Sequence, residues 1–415
     1  MSALVPSSSL ALFDDRVLAD PYLSYGSLRR TGAAVRLEKY GVWAIPRHAD
    51  VAEILKAPDI FGSEGGIALT VLANEKVLGG TVLAADGARH AKLRRVLSKQ
   101  LAPRAIKALA ERITARAERL VDQYTALGRF NALDLARHMV CDTVMELMGL
   151  PDADRDVLLS GAAATFDVFG PHGDRYQQAL PLASRMVEML HEKLTRENVA
   201  QESWMGAIFE AVDAGLIDEG DAVPLASAYT AAGIDTTVLG LADCLVQLAR
   251  HPEQWQILRR DPIRWAVPAF HESLRLEAPI QGFGRLLIKA ADVGGVRLDA
   301  GEQVWLLYGS AGRDPRQWGD KADAYDIRRP RNHQHLAFGG GPHLCAGIPL
   351  AELQVRSILR ALAARCTHLT LDGEPVRVLN NLLRGYSAAA LTVELSLHTS
   401  ASGRTPEPRQ QGPVL

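Results

Sequence analysis

Phe338-Gly339-Gly340-Gly341-Pro342-His343-Leu344-Cys345-Ala346-Gly347 is the segment of this chain best equipped for chemistry. Consecutive glycines let backbone approach a neighbour closely, because they carry no side chain. Cys345 falls at the predicted start of a helix, where free amides stabilise a thiolate and lower its pKa. A thiolate in a Gly-rich loop is one way to grip the iron of a flat cofactor. The plain alternative is a surface loop with a buried structural cysteine. Cys141, Cys244 and Cys366 have no such setting and are expected in the core. Three further groupings carry polar chemistry. Ala232-Gly233-Ile234-Asp235-Thr236-Thr237 puts a glycine, an acid and an alcohol inside an apolar helix, where each is costly. Alone, Thr236 need only bond a carbonyl one turn back. Glu272 and Arg275 sit at the spacing of an ordinary helix ion pair. His90 and Arg94 share a helical face suited to an anionic group such as a propionate.

In their order along the chain, these segments resemble the cytochrome P-450 haem-thiolate monooxygenases. The loop reads Phe338-x-x-Gly341-x-x-x-Cys345-x-Gly347, the acid–alcohol pair is Asp235-Thr236, and Glu272-x-x-Arg275 matches the family's E-x-x-R. The ordered matches span Asp86 to Gln354. The resemblance implies haem b, bound by the Phe338–Gly347 loop with Cys345 as the iron ligand. It implies that Asp235 and Thr236 are catalytic and pass protons to dioxygen above the iron. His90, Arg94, Arg285 and His335 should reach the haem propionates, and Glu272 with Arg275 should form a structural network behind the haem. There are departures. Glu352 and Gln354 stand where many members have Arg and Glu, Gly312 replaces a usual Asn, and His271 stands where an acid is common. The Glu352 change bears on redox-partner docking.

Within the family, three segments resemble a bacterial subgroup that oxidises small para-substituted aromatics, including O-demethylation of methoxybenzoic acids. They are Leu37-Glu38-Lys39-Tyr40, Phe166-Asp167-Val168-Phe169-Gly170-Pro171 and Asn380-Asn381-Leu382-Leu383-Arg384-Gly385. The resemblance makes Phe166 and Phe169 pocket walls, although aromatics at this spacing also fill ordinary cores. Phe283 and Ala232 are further wall candidates. Glu64 is placed at the pocket, where benzoate-using relatives carry a basic residue, so a carboxylate would be repelled there. Ser227 and Ala228 lack the subgroup's basic and hydroxyl anchors. A neutral aromatic therefore stands beside a benzoate as substrate. The function implied is a monooxygenase that hydroxylates or O-demethylates a small aromatic. Its electrons would come from a ferredoxin and an NAD(P)H-dependent ferredoxin reductase. Two alternatives are a non-catalytic haem-binding, ligand-sensing module and a peroxide-driven haem enzyme. An intact Asp235–Thr236 pair argues against both.

Composition agrees with a large globular enzyme. The 415 residues are 47% hydrophobic and 23% charged, which excludes bulk disorder, collagen and disulfide-scaffold classes. A net charge of -2 gives no global case for nucleic acid. No CxxC pair exists for a zinc ribbon or a thioredoxin-type site. Nor is there a P-loop, a G-x-S-x-G elbow or a strand-flanked G-x-G-x-x-G, so electrons must arrive from outside. The N-terminus does not read as a signal peptide. Asp235 and Asp243 interrupt the apolar run from Ala222 to Ala249, which fits a buried helix better than a membrane span. A cytoplasmic protein without a membrane anchor is expected.

The elements that must position these residues are mainly helical. A hairpin is predicted at Ala34–Glu38 and Val42–Ile45. Asp86 is expected to cap a helix through Gln100. Helices follow at Pro103–Tyr124, Ala132–Gly149, Tyr176–Thr195, Ser203–Ala214, Leu225–Arg250, Pro252–Arg260 and Ile263–Leu276. A β-like stretch spans Val293–Leu307. A last helix begins just after Cys345 and reaches about Arg365, with Pro349 in its first turn, and short strands close the fold from Leu369 to Leu397. The expected class is mainly α with a small β region: the cytochrome P-450 fold as one large domain, residues 16–398. Residues 1–15 are read as an N-terminal extension and 399–415 as a disordered tail.

Overall fold

The computed structural model describes residues 5–150 and 153–396, so the tail at 399–415 lies outside the described residues. Its hub is the helix Ala222–Arg250, whose side chains are mostly buried. The preceding turn, Glu219–Asp221, opens with a capping box between Asp218 and Asp221, which satisfies free amides ahead of the long helix. The helix packs against Ala132–Met148, Arg155–Val168 and Pro262–Leu276. It is long and apolar enough to cross a membrane, but 83% of its apolar window is buried inside the protein. The expected helices are present, with ends shifted by one to three residues. Pro103–Tyr124 is divided into Pro103–Ala108 and Ala110–Thr125.

Among the helices of eight or more residues, three escaped the sequence pattern: Tyr22–Thr31, His48–Leu55 and Arg155–Val168. The last carries an ordinary start signal, because Asp154 accepts from the amides of Asp156 and Val157. The expected helix from Asp86 to Gln100 is also corrected. It breaks at Leu97 into Gly87–Val96 and Ser98–Leu101, and Asp86 makes no side-chain cap. The Asp86 carboxylate instead accepts from the amides of Ser63 and Glu64, at 2.7 and 2.9 Å. Two donors fixed in a turn outcompete the amides of its own helix.

Beside a three-stranded and two two-stranded sheets, six of the described strands form the largest sheet. Its order is Ser7–Ser8, Val35–Leu37, Val42–Ile45, Gln303–Leu307, Gly282–Leu287 and Phe61–Gly62. Ser7–Ser8 runs parallel to Val35–Leu37. The part of residues 1–15 that is described thus belongs to the domain rather than extending from it. The parallel pairing of Val42–Ile45 with Gln303–Leu307 brings distant segments together. Gly282–Leu287, antiparallel to Gln303–Leu307, carries Phe283 and Arg285. The helix Ile348–Arg365 has Pro349 in its first turn and packs against Ala110–Thr125 and Pro262–Leu276. The Cys345 loop is thereby held opposite the long helix.

Candidate active site

A cavity of about 700 Å³ lies between the long helix and the Cys345 loop. The loop supplies Phe338, Gly339, Gly340, His343, Cys345 and Gly347 to its lining. The Cys345 amide donates to the Phe338 carbonyl at 3.0 Å, closing the loop. Arg94 donates to the Leu344 carbonyl, which ties helix Gly87–Val96 to the same loop. Gly341 has φ +61°, and a Cβ there would sit 1.9 Å from the Leu55 carbonyl oxygen. This glycine therefore serves the approach to helix His48–Leu55, not the approach to a ligand.

Cys345 alone among the cysteines is exposed, while Cys141, Cys244 and Cys366 are buried. Its exposure opens into the cavity. Burial pushes the thiol pKa up, against the amides of Gly347 and Ile348 and the Arg94 guanidinium, which favour the thiolate. The helix-start amides act in the expected direction, but the desolvation of a sulfur deep inside the protein outweighs them. Among the described residues, no group of three or more His, Cys, Asp or Glu side chains is placed to hold a metal ion. Cys345 could serve only as a single protein ligand to an iron whose other ligands come from a macrocycle.

His90, Arg94 and Arg285 all line the cavity. His335 does not. Its Nδ1 accepts from the Ala337 amide, and its Nε2 lies 3.0 Å from His271 Nδ1. With Nδ1 accepting, Nε2 carries the proton and donates to His271, which donates in turn to Glu352 Oε1 at 2.9 Å. The propionate role expected of His335 is therefore corrected, because both its nitrogens are committed inside the protein. His343, which lines the cavity, would take the place. It sits on the turn Gly341–His343 and its ring lies tilted against His90 with centroids 4.2 Å apart. Its Nε2 lies 3.1 Å from Ser63 Oγ.

Four nitrogen-bearing side chains, His90, Arg94, Arg285 and His343, thus line the same cavity, with Asp86 Oδ1 3.5 Å from His343 Nε2. Buried His90 Nε2, Ser227 Oγ, Tyr229 Oη and Gln354 Oε1, all on this cavity, have no hydrogen-bond partner among the described residues. Such orphaned atoms are costly unless a ligand satisfies them. A flat, mostly apolar group with anionic arms and a thiolate-seeking iron fits this set.

On the opposite wall, Thr236 and Ala232 face the cavity. The helix continues unbroken across Gly233. Thr236 Oγ1 donates to the Ala232 carbonyl at 2.7 Å, leaving its lone pairs for the cavity. Asp235 does not share that face. It is buried, raises the pKa of Cys141 through its charge, and is itself stabilised as an anion only by Arg137; both partners lie on helix Ala132–Met148. Burial pushes its carboxyl up to about 8, so it carries a proton at neutral pH. Its Oδ2 has no partner among the described residues.

The phenylalanines expected as pocket walls lie together. Phe166 and Phe169 meet edge to face at 5.8 Å, and Phe169 lies 6.5 Å from Phe283. All three line the cavity. Glu64 is corrected: its side chain is exposed and not on the cavity, because Asp86 pins its backbone in a turn at the surface. Glu272 and Arg275 are fully buried and paired at 2.8 Å. Arg275 also donates to the carbonyls of Gly312, Ala322 and Ala324. They form a structural network away from the cavity.

The Cytochrome P450 family profile matches residues 267–391. The chain is 35% identical over 385 residues to cytochrome p450 CYP199A2 of Rhodopseudomonas palustris, covering 92% of this chain and 93% of that one. It is 30% identical over 400 residues to the cytochrome P450 monooxygenase PikC of Streptomyces venezuelae, covering 93% and 94%. The solved structure of CalO2 superposes with a TM-score of 0.79 at 26% identity, covering 93% of this chain and 98% of that one. With relatives this similar over nearly its whole length, the chain belongs to the cytochrome P450 family: it is an oxidoreductase of that fold whose cofactor is haem b.

Proposed function

We propose that this protein is a cytoplasmic monooxygenase that hydroxylates or O-demethylates a small, uncharged aromatic compound. Bound haem supplies the activation of dioxygen. Cys345 would hold its iron, and His90, Arg94, Arg285 and His343 would receive its propionates. The observation that carries the substrate reading is the wall Phe166–Phe169–Phe283, which shares one cavity with Thr236 and Cys345. Edge-to-face aromatic contacts favour a flat ring there. An uncharged ring is favoured because the remaining cation on the cavity, Lys76, is exposed. Among the orphaned atoms on the cavity, the Ser227 hydroxyl is one that could meet a ring substituent. It suits a neutral hydroxyl, carbonyl or amide better than a carboxylate.

The test is optical titration of the haem protein with para-substituted rings. A neutral 4-methoxybenzyl alcohol is expected to shift the haem to high spin. 4-Methoxybenzoate should bind at least about tenfold more weakly, as an unanswered buried charge requires. The opposite order would sink the uncharged reading. NAD(P)H-linked product formation separates this proposal from a ligand-sensing module and from a peroxide-driven enzyme.

Electron delivery by an acidic ferredoxin is part of the same proposal. Arg89 is committed to Asp221 at 2.6 Å. Lys92, Arg95 and Lys99 remain exposed on the segment that Arg94 ties to the Cys345 loop, and Arg360 is exposed on the helix after it. Glu352, which accepts from His271, is the acidic side chain near this positive face. Ferredoxin-driven reduction should slow as ionic strength rises from about 0.1 to about 1 M, where the Debye length falls from ~10 to ~3 Å. Arg95→Glu should slow it at low salt. Rates indifferent to both changes would reject this docking face.

A further inference from the structure

Phe166-Asp167-Val168-Phe169-Gly170 and Asn380-Asn381-Leu382-Leu383 lie far apart in sequence and meet in space. The Asn381 amide donates to Asp167 Oδ1 at 2.6 Å, and Asn381 Nδ2 donates to the Asp167 carbonyl at 2.7 Å. Asn380 Nδ2 donates to the Ala163 carbonyl at 2.9 Å. Asn380 Oδ1 accepts from the amides of Leu382 and Leu383, at 3.0 and 2.8 Å. Arg175, near the start of the next helix, donates to Asn381 Oδ1 at 2.8 Å. Gly170 passes so close that a Cβ would sit 2.5 Å from Asn381 Nδ2. The same segment is tied from below, where the Leu69 amide donates to the Phe169 carbonyl at 2.9 Å. Both asparagines are buried, and their side-chain oxygens and nitrogens all have partners. A fully satisfied buried polar network of this kind fixes one arrangement.

We propose that Asn380 and Asn381 are positioning residues for substrate selection. They rivet the C-terminal end of helix Arg155–Val168, and with it Phe166 and Phe169, into a roof that is formed before any substrate arrives. Selection is then by size at a preset aromatic wall, not by closure of a lid around whatever enters. This rests on the haem reading above. The chemistry it selects is a single flat ring, with bulkier multi-ring compounds excluded by the fixed roof.

The test uses two haem-coordinating nitrogen ligands on the intact holoenzyme: imidazole, and the bulky 1-(triphenylmethyl)imidazole. Each reports by its shift of the haem Soret band. Asn381→Ala should move the ratio of the two dissociation constants toward the bulky ligand by about fivefold, the scale set by one buried hydrogen bond. Asp167→Asn, which keeps an acceptor for the Asn381 amide, should leave the ratio near wild type. A lowered melting temperature is expected of Asn381→Ala whether it positions the roof or only supports the fold, so the ratio decides. Asn381→Ser replaces it if the alanine variant does not fold. On the wild type alone, the amides of Asn381 and Leu69 should be protected from hydrogen exchange before ligand is added. An unchanged ratio, or amides protected only after ligand, would overturn the preset roof. A wild-type holoenzyme showing no shift with imidazole would instead remove the haem reading beneath it.

Discussion

Cys345→Ala should abolish the thiolate-type spectrum of the reduced carbonyl complex and lower monooxygenase turnover by roughly two orders of magnitude or more, the scale of losing a preorganised electronic partner at a reacting centre. The reasoning is geometric. Cys345 is the cysteine that opens onto the cavity, and its loop is closed by its own amide on Phe338. The protein offers no substitute ligand of that softness. Burial pushes Cys141 and Cys244 up to about 12 and Cys366 up to about 11, which keeps all three protonated. Cys141→Ala, Cys244→Ala and Cys366→Ala should therefore keep the thiolate band. Each should cost about 1 kcal/mol of stability, as small core truncations do. Haem content is measured beside the spectra, because alanine at 345 also removes the axial bond that helps retain the cofactor. A thiolate band that survives Cys345→Ala would reject this cysteine as the ligand.

The features legible in the sequence were those encoded locally. A glycine-rich loop, one cysteine and a proline in the next helix's first turn fix the Cys345 site from a short run of chain. The aromatic wall was legible in part, because Phe166 and Phe169 lie three residues apart and needed no distant partner to meet. What failed depended on contacts across the fold. His335 and His343 both precede Cys345, and nothing local says which ring will turn inward. The choice is made by His271, which captures His335 and is itself held by Glu352 on another helix. Asp86 had a good capping position, but its carboxylate goes to the amides of a turn brought beside it by the sheet. The same contact holds Glu64 at the surface, so the residue that the resemblance placed at the pocket does not reach it. The riveted roof was present in the sequence as two separate motifs, and only the fold joins them.

Thr236→Ala and Asp235→Asn should impair oxidation in different ways, because successive helix positions face different surroundings. Thr236 faces the cavity with its donor spent on Ala232, so its oxygen can accept a hydrogen bond and hold a proton-bearing water in place. Without it, dioxygen can still take two electrons and two protons and leave as hydrogen peroxide. Thr236→Ala should therefore go on consuming NAD(P)H while product per NAD(P)H falls roughly ten- to hundredfold, at or below the ~10²–10⁴ that a positioned acid contributes. Asp235 is buried behind that surface with its carboxyl pushed up to about 8, and on the proposed reading it is the group that resupplies the proton. Asp235→Asn cannot, so total NAD(P)H consumption should fall while the product ratio holds. Haem binding should survive in both. A second readout isolates Asp235 from any change in chemistry. Burial pushes its carboxyl from the ordinary value of about 4 up to about 8, so between these values the folded protein would bind the extra proton. Its contribution to stability is present at low pH and is lost as pH rises through about 8. The asparagine has no proton to lose, so the melting temperature of Asp235→Asn should fall less than that of wild type between about pH 6 and about pH 9. Parallel melting curves would show that Asp235 is not the buried acid described here. A fully coupled Thr236→Ala enzyme would show that a substrate group or another hydroxyl holds the proton instead.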